Sequence, residues 1–140
     1  MDLMGWVGAR WWKFDFHCHT PASEDYGKGP EQEVLRSISP REWLLNYMRA
    51  GIDCVAVTDH NSGGWIDPLK EALAELSTEG HPECREFYIF PGVEISASSG
   101  IHILAILPMH KTTADIDMLL GAVDFKGKKG SCDEPAEMTA

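Results

Sequence analysis

This 140-residue chain lacks several things, and each absence narrows its chemistry. No run of 18 or more apolar residues occurs, so no segment reads as a membrane-spanning helix. Basic residues are scarce, 12 Lys and Arg against 22 Asp and Glu, for a formal net charge of −10. A broad surface for a phosphate backbone is thereby excluded, because such binding needs clustered cations. The pattern G-x-x-x-x-G-K-[ST] is missing, and with it a phosphate-cradling P-loop. So is the G-x-S-x-G turn that presents a nucleophilic serine. Four cysteines stand at positions 18, 54, 84 and 132 with no C-x-x-C pair, which fits neither a structural zinc site nor a redox dithiol. Residues 1–12 show no basic segment leading into an apolar one, so no secretory signal is expected. Reduced thiols and a cytoplasmic setting follow as the default.

What is present suits one soluble domain with a real core: 44% hydrophobic and 24% charged residues. Residues 11–17 read as a first strand, followed by a Gly- and acid-rich loop from Pro21 to Ile38. Ser39-Pro40-Arg41-Glu42 is a capping box with proline at the first helical position, and Trp43, Leu44, Tyr47 and Met48 follow at helical spacing. Gly51 stands where such a helix ends in the left-handed conformation. Ile52–Val57 is a short apolar run suited to a strand buried on both faces. Asp67-Pro68 opens a second helix with Leu69, Ala72, Leu73 and Leu76 on one face and Gly80 beyond it. Phe87 to Phe90 predicts a third strand, interrupted by Pro91-Gly92 and resuming at Val93–Ile95. Ser98-Ser99-Gly100 signals a turn and Ile101–Leu107 a fourth strand. Thr112 or Thr113 caps a last helix carrying Ile116, Leu119 and Leu120, with Asp115 and Asp117 in its first turn. Residues 1–120 are thus one α/β unit with mainly parallel strands and helical crossovers. Residues 121–140 are expected to form a loose tail or a truncated continuation of the domain, with almost nothing to bury in 126–140.

The polar clusters gather where strands of such a fold end. In Asp15-Phe16-His17-Cys18-His19-Thr20, strand alternation places Asp15, His17 and His19 on one face. A lone histidine is more often a satisfied hydrogen-bond partner; three metal-binding groups aimed one way favour a metal. Asp59 and His60 follow the second strand, and Glu94 lies near the end of the third. A turn centred near Ser98 would set His102 directly opposite Glu94 and bring it to the same rim. Otherwise His102 is a hydrogen-bonding residue of the hairpin. Glu24 or Asp25 can join from the loop. Imidazoles mixed with carboxylates suit Zn²⁺, Mn²⁺ or Fe. The donors exceed what one tetrahedral ion needs, which points to two or more metals with Glu94 as a bridge. Such a centre lowers the pKa of bound water from about 16 to about 7 and clamps attacking and leaving oxygens, so a phosphoester is the natural substrate. Lys28, Lys111 and the Lys126/Lys128/Lys129 group read as solvated side chains, and Trp6, Trp11 and Trp12 as packing residues or an interdomain contact.

The motifs Asp15–Thr20, Val57-Thr58-Asp59-His60-Asn61 and Pro91–Ser96, in this order and spacing, closely resemble the first three motifs of the PHP (polymerase and histidinol phosphatase) family. His102-Ile103-Leu104 is similar to a segment that follows the third motif in many members. The match spans roughly residues 11–108. Gly8–Lys13 and Pro21–Tyr26 look further like the TrlF-type group, in which a PHP domain precedes an AAA/ABC-like ATPase domain. The resemblance implies the N-terminal part of a distorted (β/α)₇ barrel, two or three divalent metals and phosphoesterase activity, with nucleotides or nucleic-acid ends as substrates. It places His17, His19, His60 and Glu94 as the catalytic metal ligands, with Glu24 or Asp25 as a further ligand. It makes Asp15 and Asp59 the partners that orient imidazoles. It also implies ligands beyond His110 that this chain does not carry. The chain reads as a truncated domain whose half barrel favours association into oligomers. The alternative is a non-catalytic metal-binding module that regulates or docks an attached ATPase.

Overall fold

The computed structural model describes residues 9–97 and 100–132. Its elements run β1 (Phe14–Cys18), a short 3₁₀ helix (Glu33–Ser37), α1 (Pro40–Arg49), β2 (Cys54–Val57), α2 (Ile66–Thr78), β3 (Tyr88–Ser96), β4 (His102–Ile106) and α3 (Thr113–Ala122). The four strands form one mixed sheet in sequence order, β1 and β3 each parallel to β2, and β4 antiparallel to β3.

The helix ends follow the local chemistry. Ser39 is extended, and its Oγ accepts from the Glu42 N–H with Pro40 behind it. Gly51 ends α1 at φ 78°, letting its own N–H reach the Met48 carbonyl and the Ile52 N–H reach Tyr47. Gly80 ends α2 in the same paired way, onto Ser77 and, through His81, onto Leu76. The sequence places the start of α2 at Asp67-Pro68; the helix begins at Ile66 without a side-chain cap. Instead Asp67 and Thr113 exchange hydrogen bonds, tying the first turn of α2 to the first turn of α3. Thr112 and Asp115 complete a reciprocal capping box on α3.

One face of the sheet is covered. Trp43, Leu44, Leu45 and Met48 of α1 and Ile66, Leu69, Ala72 and Leu76 of α2 pack with Val55, Val57 and Ile89 of the strands. At about 1.5–3 kcal/mol for each fully buried large apolar side chain, this cluster is the main support of the fold. A smaller cluster, Val93, Ile95, Ile116 and Leu120, fastens α3 to β3. On the opposite face Phe14, Phe16, Leu104 and Ile106 remain well exposed, and Phe14 and Phe16 stack at 4.7 Å.

Two expectations about β3 need correction. The strand is not broken at Pro91-Gly92 but runs continuously from Tyr88 to Ser96. It exchanges partners there: Tyr88–Pro91 lie along β2, and Gly92–Ser96 lie along β4. Proline has no N–H to donate, but the Pro91 carbonyl takes the Leu107 N–H at 2.7 Å. At Gly92 a Cβ would come within 2.9 Å of the Ala105 carbonyl and 3.0 Å of Val57 O, so only glycine fits the seam. Second, the hairpin register sets Ser96 against His102 and Glu94 against Leu104, two residues from the expected pairing. Ser98 and Ser99, on which the turn was centred, lie outside the described residues. A shift of two preserves the face, because strand alternation has that period.

Gly130 and Ser131 are tied back to the rest of the fold. The Gly130 N–H donates to His60 O, its carbonyl accepts from the Glu24 N–H, and Asn61 Nδ2 donates to Ser131 O. Residues 133–140 lie outside the described residues.

Candidate metal centre

Three chain segments bring the imidazoles together. The chain beyond β2 continues as a single parallel bridge between His60 and Glu94, with the Glu94 N–H on Asp59 O and the Asn61 N–H on Glu94 O. Asn61 takes a left-handed φ of 46° at this point. β1 ends beside it, and β4 returns His102 from the far side. Glu94 is the hub, its side chain only 3% exposed. Its Oε2 lies 2.8 Å from His17 Nε2, 3.2 Å from His19 Nε2 and 3.4 Å from His60 Nδ1. Its Oε1 contacts His102 Nδ1. His17 and His19 approach at 3.1 Å through their Nε2 atoms, and Asp25 Oδ2 lies 3.3 Å from His60 Nε2.

These donors form three overlapping groups: His17/His19/Glu94, His19/Asp25/His60 and His60/Glu94/His102. Ligand bonds of about 2.1 Å place neighbouring donors roughly 3.0–3.4 Å apart on a coordination shell, close to the spacings found here. His60 adds an independent sign. It is buried, and its Nδ1 has no hydrogen-bond partner; the 3.4 Å approach to Glu94 lacks the geometry for one. An unsatisfied buried nitrogen is costly, and a cation would satisfy it. The donor set therefore fits divalent metal ions.

Electrostatics favour the ligand forms. Burial, followed by the neighbouring His60, lowers the pKa of His19 and favours its neutral imidazole. Burial opposes ionisation of Glu94, yet the hydrogen bonds from His17 and His102 hold its carboxyl below the usual range. Burial raises Asp59 to about 6, against hydrogen bonds from Thr20 and Ser23 that favour its charge.

Of the sequence-predicted residues, His17, His19, Asp25, His60, Glu94 and His102 converge. Glu24 does not: its carboxylate is paired with Lys128, and the pairing lowers its pKa. Asp15 and Asp59 contact no imidazole directly. The register of β1 shifts between Asp15 and Cys18, which interrupts strand alternation. Asp15 accepts from the backbone N–H of His17 and faces Tyr47 OH at 3.4 Å. Asp59 accepts from Thr20 N–H and Oγ1, both at 2.6 Å, and from Ser23 Oγ at 2.8 Å. Ser23, absent from the predicted set, stands between Asp59 and His19. A serine four residues after a histidine carries no sequence signal of that role.

No family model matches the chain. Over 97 residues it is 29% identical to a curated 5'-3' exoribonuclease of Haemophilus influenzae, a match covering 67% of this chain and 28% of that protein. A solved structure from Bifidobacterium adolescentis, provisionally classed as a metal-dependent phosphoesterase, aligns at 26% identity with a TM-score of 0.47. That alignment covers 68% of this chain and 27% of the other. The chain thus spans little more than a quarter of the length of the curated relative it matches.

Proposed function

We propose that this chain carries the ligand-bearing part of a metal-dependent phosphoesterase of PHP type. The observation that carries the reading is one buried carboxylate, Glu94, surrounded by four imidazoles, one of which has an orphaned nitrogen. His17, His19 and Glu94 would hold one ion and His60, Glu94 and His102 another, with Asp25 beside His60 as a further donor. Bound divalent metals supply a water of lowered pKa and stabilise charge on attacking and leaving oxygens. The chain's own residues orient that chemistry. Glu94 and His60 sit at the floor, with side chains 3% and 6% exposed, whereas His17 and His102 at the rim are 51% and 44% exposed. A phosphoester therefore approaches across His17 and His102. Zinc, manganese and iron all suit these donors.

The substrate class we propose is the phosphodiester end of a nucleic acid, supported by the match to a protein named 5'-3' exoribonuclease. We further take the four strands as the first part of a (β/α)₇ barrel in a cytoplasmic protein. Metal analysis of the purified chain, beside His17→Ala and Glu94→Ala, tests the reading. Bound transition metal lost in both variants is expected; metal-free wild type overturns it. Hydrolysis of a 5'-phosphorylated RNA oligonucleotide with Mn²⁺ then tests the substrate.

The second reading is a non-catalytic metal-binding module that docks an ATPase domain or a second copy. The exposed Phe14, Phe16, Leu104 and Ile106 beside the site favour it. Metal-dependent turnover abolished by Glu94→Ala excludes it.

A further inference from the structure

We infer that Ser23 fixes His19 as the tautomer protonated on Nδ1, acting as a positioning residue with Asp59 behind it. Ser23 is buried, and its hydroxyl has a fixed number of hydrogens and lone pairs to share. Ser23 Oγ has one hydrogen and two lone pairs. Three groups surround it: Asp59 Oδ1 at 2.8 Å, the His60 backbone N–H at 3.0 Å and His19 Nδ1 at 3.0 Å. Asp59 Oδ1 already accepts the Thr20 N–H at 2.6 Å, and the Ser23 hydroxyl donates to the same oxygen. The His60 N–H can only donate, so it occupies one lone pair. The remaining lone pair faces His19 Nδ1, which must therefore carry the hydrogen.

The consequence falls on the other side of the ring. With Nδ1 protonated, Nε2 of a neutral His19 presents a lone pair, and that atom lies 3.1 Å from His17 Nε2 and 3.2 Å from Glu94 Oε2. The other tautomer would aim a hydrogen into the cluster. The same oxygen also accepts from His60, so one hydroxyl sets the proton of one donor residue and the backbone position of another. Asp59 completes the arrangement by orienting the hydroxyl and by holding Thr20 through two bonds.

This consequence for metal binding rests on the function proposed above, but the tautomer does not. The test therefore starts with metal-free protein. Long-range ¹H–¹⁵N correlation on ¹⁵N-histidine-labelled chain at pH 7.5 reads the tautomer of each ring, and His19→Gln assigns the His19 signals. Wild type is expected to show His19 protonated on Nδ1, Ser23→Ala to lose that preference, and Ser23→Thr, which keeps a hydroxyl, to retain it. A wild-type His19 protonated on Nε2 overturns the inference even if neither variant folds, as does an unchanged tautomer in folded Ser23→Ala. Titration with Mn²⁺ alone then reads the consequence. Ser23→Ala should bind about 10–100-fold more weakly, in the range expected when a residue supporting a ligand is removed. Equal affinity in wild type and Ser23→Ala overturns the positioning role. If no protein binds Mn²⁺ while the tautomer is as inferred, the metal reading fails and the proton assignment stands.

Discussion

The two faces of the sheet are built on opposite rules. One face meets α1 and α2 across a closed apolar layer in which Leu44, Val55 and Leu69 have no exposed surface. The other carries Phe14, Phe16, Leu104 and Ile106 partly in the open, with the imidazole cluster at its rim. Apolar burial therefore concentrates on the helical face and the candidate metal donors on the open one. The strands serve both by alternation: in β3, Val93 and Ile95 pack toward α3 while Glu94 between them faces the histidines.

The sharpest way to break this comparison is on the helical face. Leu69→Ala should cost about 2–5 kcal/mol, read by urea denaturation. A loss below about 1 kcal/mol would mean the helices do not hold that layer. At the seam between the two halves of the sheet, Gly92→Ala should cost about 1–3 kcal/mol through overpacking, because its Cβ meets carbonyls of both neighbouring strands. Little or no loss would show that β4 can shift away freely. Acid stability offers a smaller effect. The Thr112 N–H and then Lys111 lower Asp115 to about 2 from an ordinary 3.8. A depressed carboxyl stabilises the fold above its ordinary value and stops doing so as pH falls through the folded one, so this contribution fades between pH 3.8 and about 2. Asp115→Asn should flatten the unfolding curve in that window; an unaltered slope would separate the cap of α3 from acid stability. The smallest effect belongs to the open face. Phe16→Ser, at a position 50% exposed, should change stability by no more than about 0.5 kcal/mol while reducing association in sedimentation runs. A loss of about 2 kcal/mol would show that this face is covered in solution.

Local signals read well from the sequence. Ser39 with Pro40, Gly51, Gly80 and Thr112 each act through groups a few residues away, and each does what its type predicts. His17, His19, His60 and Glu94 converge because strand ends of a sheet converge, a property of topology more than of particular contacts. Long-range pairings were less legible. Glu24 and Asp25 look equivalent in sequence, yet Lys128 engages the first while His60 meets the second. The bulge in β1 removes Asp15 from the imidazoles, and no residue type announces it. Pro91-Gly92 reads as a break by local propensity, but a strand that exchanges partners can accommodate both residues. His102 reaches Glu94 despite the shifted register, because the shift was even.

The exchange of partners along β3 also orders the assembly of the protein in time. Its second half pairs with β4, which lies close by in sequence, whereas its first half must find β2 across α2, and β2 must find β1 across α1. Contacts between segments near in sequence form faster than those separated by long loops. Glu94 and His102 therefore meet early, and His60, His17 and His19 join later, when β2 and β1 dock. On the function proposed above, a metal ion would be held only once these distant strands have docked.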